Sequence, residues 1–123
     1  MSDRASSKEL SALLGEGAEF EGKLVFEGRV RIDGRFRGRI VSDGTLVVGD
    51  RAEVEATLHV GMLIVLGGTV RGDIEATRTV ELHAPSKVYG NITTPQLVID
   101  RGVLFEGQSR LPQASSQPPV TND

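Results

Sequence analysis

The alternation of apolar and polar positions along the chain repeats a five-residue pattern, apolar–x–small–x–apolar, six times. The first positions of the copies are all apolar and lie 16 to 18 residues apart: Phe20, Phe36, Val54, Val70, Val88 and Phe105. A small residue takes the third position, and an apolar residue closes every copy except the last, where Ser109 stands. Alternation with a period of two predicts that each copy is a short β-strand.

A second pattern, apolar–x–apolar, lies between successive copies of the first. It occurs as Val30/Ile32, Leu46/Val48, Ile64/Leu66, Val80/Leu82 and Leu97/Ile99. The joining residues are rich in glycine and aspartate, which favour turns. A repeat in which equivalent positions return in the same order indicates coils that stack in parallel. The sequence therefore predicts an all-β, single-domain parallel β-helix of about six coils, right-handed by the general preference of crossover connections.

The charged residues support this register. The position after each first apolar residue is expected to point outward, and the first four such positions carry charges of alternating sign. They are Glu21, Arg37, Glu55 and Arg71. Neighbours in a parallel ladder lie about 4.8 Å apart, and an opposite charge at that place stabilises the pair by roughly 0.2–1 kcal/mol.

The repeats divide the chain of 123 residues into three segments. Residues 1–13 precede the first copy and are expected to form a flexible N-terminal tail, and residues 14–109 form the β-helix. Residues 110–123 are rich in proline, serine and glutamine, which predicts a disordered C-terminal tail. The chain has no cysteine, so the β-helix is held together without disulfides or thiolate-bound metal.

Composition and motifs argue against several functions. The net charge of −3 is unlike that of a dedicated nucleic-acid binder, and no phosphate-binding loop of the Gly-x4-Gly-Lys-Ser/Thr type occurs. His59 and His83 are expected on different faces, so they do not form a metal site. We expect no cofactor, no metal and no enzyme activity. The absence of a long apolar run predicts a cytoplasmic protein.

The stretch LLGEGAEFEGKLVFEGRVRIDGRFRGRI (13–40) and the glycine-marked coils after it resemble the bactofilins, a family of bacterial cytoskeletal proteins. The resemblance runs over about residues 14–109. It implies a right-handed β-helix core with flexible tails. It also implies non-polar filaments that form without nucleotide, peripheral association with the inner face of the cytoplasmic membrane, and a scaffold role in cell shape or protein localisation.

The residues themselves also indicate self-association. A solenoid normally protects its terminal coils with polar caps, and neither end of this repeat has an evident one. We expect uncovered apolar columns and unpaired strand edges at both ends, which favour association with further copies of the chain. The candidates are Val103, Leu104 and Phe105 at the C-terminal end, and Leu14, Phe20, Leu24 and Phe26 at the N-terminal end. Phe105 is the preferred anchor; the alternative is a core phenylalanine that the tail covers.

Two further sets of apolar residues have two interpretations each. Val47, Val65 and Val98 are predicted to lie on the outside, as a lateral contact between filaments or as scattered surface residues. Leu10, Leu13 and Leu14 have helix-like spacing in the N-terminal tail. They either touch the bilayer, where many weak contacts add up along a polymer, or cover the first coil.

The sequence permits two other functions besides a filament. One is a monomeric β-helix interaction module. The other is a left-handed acyltransferase with a catalytic histidine and a coenzyme A site, because four consecutive hexads occur between Val48 and Arg71. The hexads do not continue on either side, and therefore the sequence favours the filament.

Overall fold

A computed structural model describes residues 10–15 and 17–111, with the side chains of residues 10–14 left out. This part contains strands and no helix. The strands are β1 (Leu10–Leu14), β2 (Glu19–Phe26), β3 (Arg29–Ile32), β4 (Arg35–Ser42), β5 (Thr45–Val48), β6 (Glu53–Val65), β7 (Thr69–Arg71), β8 (Ile74–Leu82), β9 (Lys87–Tyr89), β10 (Ile92–Thr93), β11 (Leu97–Ile99), β12 (Leu104–Glu106) and β13 (Ser109–Arg110).

Every strand pairs in parallel with strands of the neighbouring turns, and three stacked series result. The first face stacks β2, β4, β6, β7, β9 and β12, and the second stacks β2, β4, β6, β8, β10 and β13. The third stacks β1, β3, β5, β6, β8 and β11. Six members in a series enclose five complete turns, slightly fewer than the predicted six coils. The predicted parallel β-helix is confirmed.

The small third position of the five-residue pattern lies at the corner between the first and second faces. Gly38 has a φ of 137° there, which disfavours residues with a side chain. A Cβ atom at Gly38 would also clash with the carbonyl oxygen of Gly22 in the turn below. In the same way, a Cβ atom at Gly72 would clash with the carbonyl oxygen of Ala56, and one at Gly90 would clash with that of Gly72. Small residues at this position therefore allow successive turns to stack closely at the corner.

Equivalent apolar residues of successive turns stack into continuous interior columns. In the interior turns, the residues of the first-face column are fully covered, since Phe36, Val70 and Val88 are each 0% exposed. Because each side chain is covered by the same position of the turns above and below, a residue's burial depends on whether both of those turns exist.

One of the predicted inward pairs is wrong. The third-face register places Leu63 and Val65 of β6 beside the inward pair of β5, and both are fully buried. Ile64 is half-buried and Leu66 is 36% exposed, so the predicted pair Ile64/Leu66 lies on the outside. Val65 therefore faces the core, which corrects its predicted outward position in a lateral contact.

The cause is a difference of one residue before the third face. Between its second-face and third-face parts, β8 has Thr77 and Arg78, whereas β6 has Gly61 alone. Because side chains alternate between the two sides of a strand, one residue fewer moves every later side chain to the opposite side. From the sequence, either Leu63 and Val65 or Ile64 and Leu66 could face the core. Pairing with the neighbouring turns selects Leu63 and Val65.

The outward ladder predicted from the charges is confirmed by the first-face register. Glu21, Arg37, Glu55 and Arg71 are direct neighbours in that order, followed by Tyr89. Nε of Arg37 lies 3.4 Å from Oε1 of Glu55, and the guanidinium of Arg71 lies 4.5 Å from the ring centre of Tyr89. Arg37 and Glu55 are each about 60% exposed, so their ion pair adds little stability.

The described strands extend slightly past the expected boundaries of the β-helix. β1 begins at Leu10, four residues before the expected start at residue 14, and β13 ends at Arg110. Of the predicted tails, residues 1–9 and 112–123 lie outside the described residues.

Candidate filament-forming ends

At the C-terminal end, no described strand covers the third-face column. Ile99 of β11 stacks on Leu82 of β8. Leu82 and Val65, the preceding members of the column, are 0% exposed, whereas Ile99 is 42% exposed. Since the residue types are alike, the difference in exposure comes from the lack of a described strand beyond β11. Sequence analysis named Ile99 as a column residue but missed it as an end residue, although it is the last member of its series.

The three residues predicted at the C-terminal end take different positions. Phe105 lies on Val88 in the first-face column, and it packs against the core together with Val103 while both stay partly exposed. Leu104 is 41% exposed and lies beside Lys87 in an outward row. Phe105 and Val103 therefore belong to the end surface, and Leu104 lies at its rim.

Leu111 adds another apolar side chain near this end. It is 69% exposed and directly follows β13, and the sequence analysis did not single it out. The strands of the last turn, β11, β12 and β13, each pair with only one described strand. No described strand pairs with the outer edge of this turn, and an unpaired edge of this type can pair with further strands.

The N-terminal end presents Phe20 on the first face. Its side chain is 39% exposed, and its ring stacks on that of Phe36 with 5.1 Å between the ring centres and an interplanar angle of 10°. Leu24 is half-buried against the core. Among the described strands, β2 pairs with β4 alone, so no described strand covers the outer first-face edge at this end.

Phe26 does not belong to the N-terminal end surface, which corrects its predicted position. Only 4% of Phe26 is exposed, and it packs in the core. The register pairs it with Ser42, whose small side chain leaves space for a large ring in the same column. The Ser42 hydroxyl donates a hydrogen bond of 2.8 Å to the carbonyl oxygen of Phe26.

The third face of the N-terminal end is covered by β1. Its backbone register places Ala12 beside Val30 and Leu14 beside Ile32. Val30 and Ile32 are 1% and 0% exposed, as in an interior turn. The segment predicted to touch either the bilayer or the first coil therefore forms a strand on the first coil. The side chains of Leu10, Leu13 and Leu14 lie outside the described part.

The two histidines lie in separate polar clusters. Nδ1 of His59 lies 2.9 Å from Glu75. His83 contacts Asp100 through Nδ1 at 2.9 Å and Glu81 through Nε2 at 3.2 Å. The hydrogen bond to Asp100, followed by that to Glu81, raises the pKa of His83. Within residues 10–15 and 17–111, no group of three or more His, Cys, Asp or Glu side chains is arranged to hold a metal ion. No helix of this part is long and apolar enough to cross a membrane.

Comparison with known proteins identifies the family of this chain. The family model for bactofilins, described as polymer-forming and cytoskeletal, matches residues 12–110. This chain belongs to the bactofilin family. The resemblance seen in the sequence is thereby confirmed, and a family of cytoskeletal polymers accounts for a chain built from one repeated coil.

Two bactofilins of Myxococcus xanthus (strain DK1622) are similar to the chain. BacP is 32% identical over 111 residues, which cover 85% of this chain and 46% of BacP. BacO is 27% identical over 105 residues, which cover 85% of this chain and 82% of BacO. The chain thus spans less than half the length of BacP. No solved structure gives a significant match.

Proposed function

We propose that this bactofilin polymerises end to end, without nucleotide, into non-polar filaments. The observation that carries the proposal is the contrast within one column, where Leu82 is fully buried and Ile99 is 42% exposed. A second molecule docked on the C-terminal end would restore the missing neighbour of Ile99 and Phe105. The area removed from water in this way stabilises the contact by roughly 25 cal/mol per Å².

The non-polar arrangement uses two symmetric contacts, one between C-terminal ends and one between N-terminal ends. Repeating both contacts gives an open filament in which neighbouring molecules alternate in direction. The C-terminal end supports such a contact because its exposed apolar residues, including Ile99 and Leu104, meet an equally apolar surface on a second copy. The resemblance to the bactofilins implies the same symmetry.

A scaffold at the inner face of the cytoplasmic membrane, for cell shape or for localising other proteins, is the proposed cellular role. Leu10, Leu13 and Leu14 are the candidate membrane contacts. Flotation of the full chain with anionic lipid vesicles tests this role. Binding that survives replacement of all three leucines by serine would assign membrane contact to another part of the protein.

The polymerisation test compares Phe105→Arg with Leu66→Arg. Leu66 is a matched control because it is an exposed apolar residue in the middle of the rod. We expect the unmodified chain and Leu66→Arg to pellet as filaments in ultracentrifugation. Phe105→Arg should stay in the supernatant, because a charge buried in the junction lacks compensation. Circular dichroism confirms that each variant is folded.

Two outcomes would contradict the proposal. Filaments that persist in Phe105→Arg, as seen by electron microscopy, would remove Phe105 from the junction. An unmodified chain that stays monomeric at every protein and salt concentration would favour the alternative function, a monomeric β-helix that binds other proteins.

A further inference from the structure

One residue per turn forms a row on the outer side of the third face, with apolar residues at its centre and opposite charges on the two sides of that centre. The ladder register assigns one residue per turn to this row, here called the third-face row: Arg31, Val47, Ile64, Glu81 and Val98. Two apolar residues, Val47 and Ile64, lie between a cation on the N-terminal side and an anion on the C-terminal side. The register of β6 decides this order, because it places Ile64 in the row instead of Val65.

The centre of the row is much less exposed than its C-terminal end. Val47 is 9% exposed and Ile64 is half-buried, whereas Val98 near the C-terminal end is 40% exposed. The row lies on stacked parallel strands, whose faces can pack against another sheet at a distance of about 10 Å. A face built of stacked strands therefore suits contact with a second face of the same kind.

The two charges of the row keep hydrogen-bonding capacity for a partner. Arg31 donates from Nε and Nη2 to Asp33 at 2.8 and 3.1 Å, and its side chain is 42% exposed. Glu81 contacts His83 through Oε1, and its side chain is 32% exposed. These contacts do not use Nη1 of Arg31 or Oε2 of Glu81. Three turns of about 4.8 Å separate the two charges, which is too far for an ion pair within one molecule.

We propose that the third-face row binds the same row of a second copy of this chain, with the two rods antiparallel. A two-fold axis between Val47 and Ile64 sets Val47 against Ile64 of the second copy. The same axis sets Arg31 against Glu81 of the second copy, so opposite charges meet at both ends of the contact. This side-to-side pairing differs from the end-to-end contacts of the filament and does not depend on them.

The order of charges selects the antiparallel direction. Parallel rods in register would oppose Arg31 to Arg31 and Glu81 to Glu81, and juxtaposed like charges disfavour association. The backbone register of β1 continues the symmetry, because Leu13 takes the position before Arg31. In the antiparallel pair that position lies opposite Val98. The charges and the apolar residues of the row therefore favour the same antiparallel arrangement.

A charge-swap experiment on the full chain tests the pairing. In electron micrographs of the unmodified protein we expect filaments that lie side by side. Arg31→Glu and Glu81→Arg should each lower the paired fraction about tenfold, because each brings like charges together. The double variant Arg31→Glu/Glu81→Arg should restore pairs, since the opposite charges then meet again. Arg39→Glu is the control, as Arg39 is exposed on β4, outside the third face.

Chemical crosslinking tests the direction and works even if no filament forms. The chain contains no cysteine, so single cysteines can be introduced at Arg29 and Thr79, which flank the row three turns apart. A thiol reagent of about 10 Å should join Arg29→Cys to Thr79→Cys in a mixture. It should not join two copies of Val98→Cys, because row residues face their own copies only in parallel rods.

The results that overturn the pairing differ from those that overturn the filament. Crosslinks between two copies of Val98→Cys would establish parallel rods. Pairs that survive both single charge reversals, or single filaments throughout with no crosslink, would remove the third-face row as an interface. If no filaments form but Arg29→Cys still crosslinks to Thr79→Cys, end-to-end assembly is rejected and the side-to-side pairing is supported.

Discussion

The two ends of the β-helix differ in how the last described third-face side chains are covered. At the N-terminal end, β1 lies on β3, so Val30 and Ile32 are as buried as interior residues. At the C-terminal end no described strand lies beyond β11, and Ile99 is 42% exposed. The same kind of side chain in the same column is thus core where a further turn covers it and surface where no described strand does. Exposure at an end is decided by the neighbouring turn rather than by residue type.

The first face shows a second difference between the ends. Both ends present a phenylalanine, Phe20 or Phe105. Glu19 and Glu21 flank Phe20, whereas Leu104 takes the place of one carboxylate beside Phe105. Two N-terminal ends would therefore bring carboxylates together, while two C-terminal ends would bring apolar side chains together. We infer that the contact between C-terminal ends is the stronger of the two.

The largest expected effect separates the symmetric filament from a head-to-tail one. Phe20→Arg should stop filaments at dimers joined through C-terminal ends, because only the N-terminal contact is lost. Phe105→Arg should leave at most the weaker N-terminal contact, and thus monomers on dilution. Analytical ultracentrifugation of each variant and of their mixture measures this. A mixture that assembles a complex absent from both separate samples would instead establish head-to-tail joining.

A smaller effect tests the contrast within the third-face column. Leu82→Ala should lower the free energy of unfolding by about 2–5 kcal/mol, as for other large-to-small changes in a packed core. Ile99→Ala should cost less than about 1.5 kcal/mol in dissociated protein, because much of Ile99 is already in water. Urea denaturation in the Phe105→Arg background measures both values. Equal losses would show that the last turn is covered in solution.

The smallest expected effect concerns the polar contacts that join the last turn to the rod. Protonated His83 donates hydrogen bonds to Asp100 and Glu81, which raise its pKa above the ordinary value of 6.5. Its contribution to stability is therefore complete below about pH 6.5 and is lost as the pH rises through the raised pKa. Urea denaturation between pH 5.5 and 8.5 should show this loss in the unmodified chain and not in His83→Gln. His59→Gln is the control and should keep the pH dependence.

The sequence predicted the fold closely because the repeat leaves few alternatives. Period-two alternation defines strands, and the 16-to-18-residue spacing permits stacking only in parallel. Even the outward ladder from Glu21 to Arg71 follows from the first-face register. Phe105 was found as an end residue for the same reason, as it occupies the first position of the last copy.

The errors lie where the sequence permits two alternations or where burial depends on other turns. Around Gly61 the apolar residues fit two registers, and pairing with β5 and β8 buries Val65 and leaves Ile64 outside. Phe26 reads as an end residue, but its ring packs into the core beside Ser42. Only the stacked structure contains this information, because it arises from contacts between residues a full turn apart.

The sequence alone thus determined the coil, its parallel stacking and the membership of most columns, since these follow from local alternation and constant spacing. Tertiary structure alone decided which column members are buried, which side of β6 faces the core, and that β1 covers the third face of the first turn. The physical reason is that strand formation is a local property, whereas the removal of a side chain from water requires a neighbour in the adjacent turn.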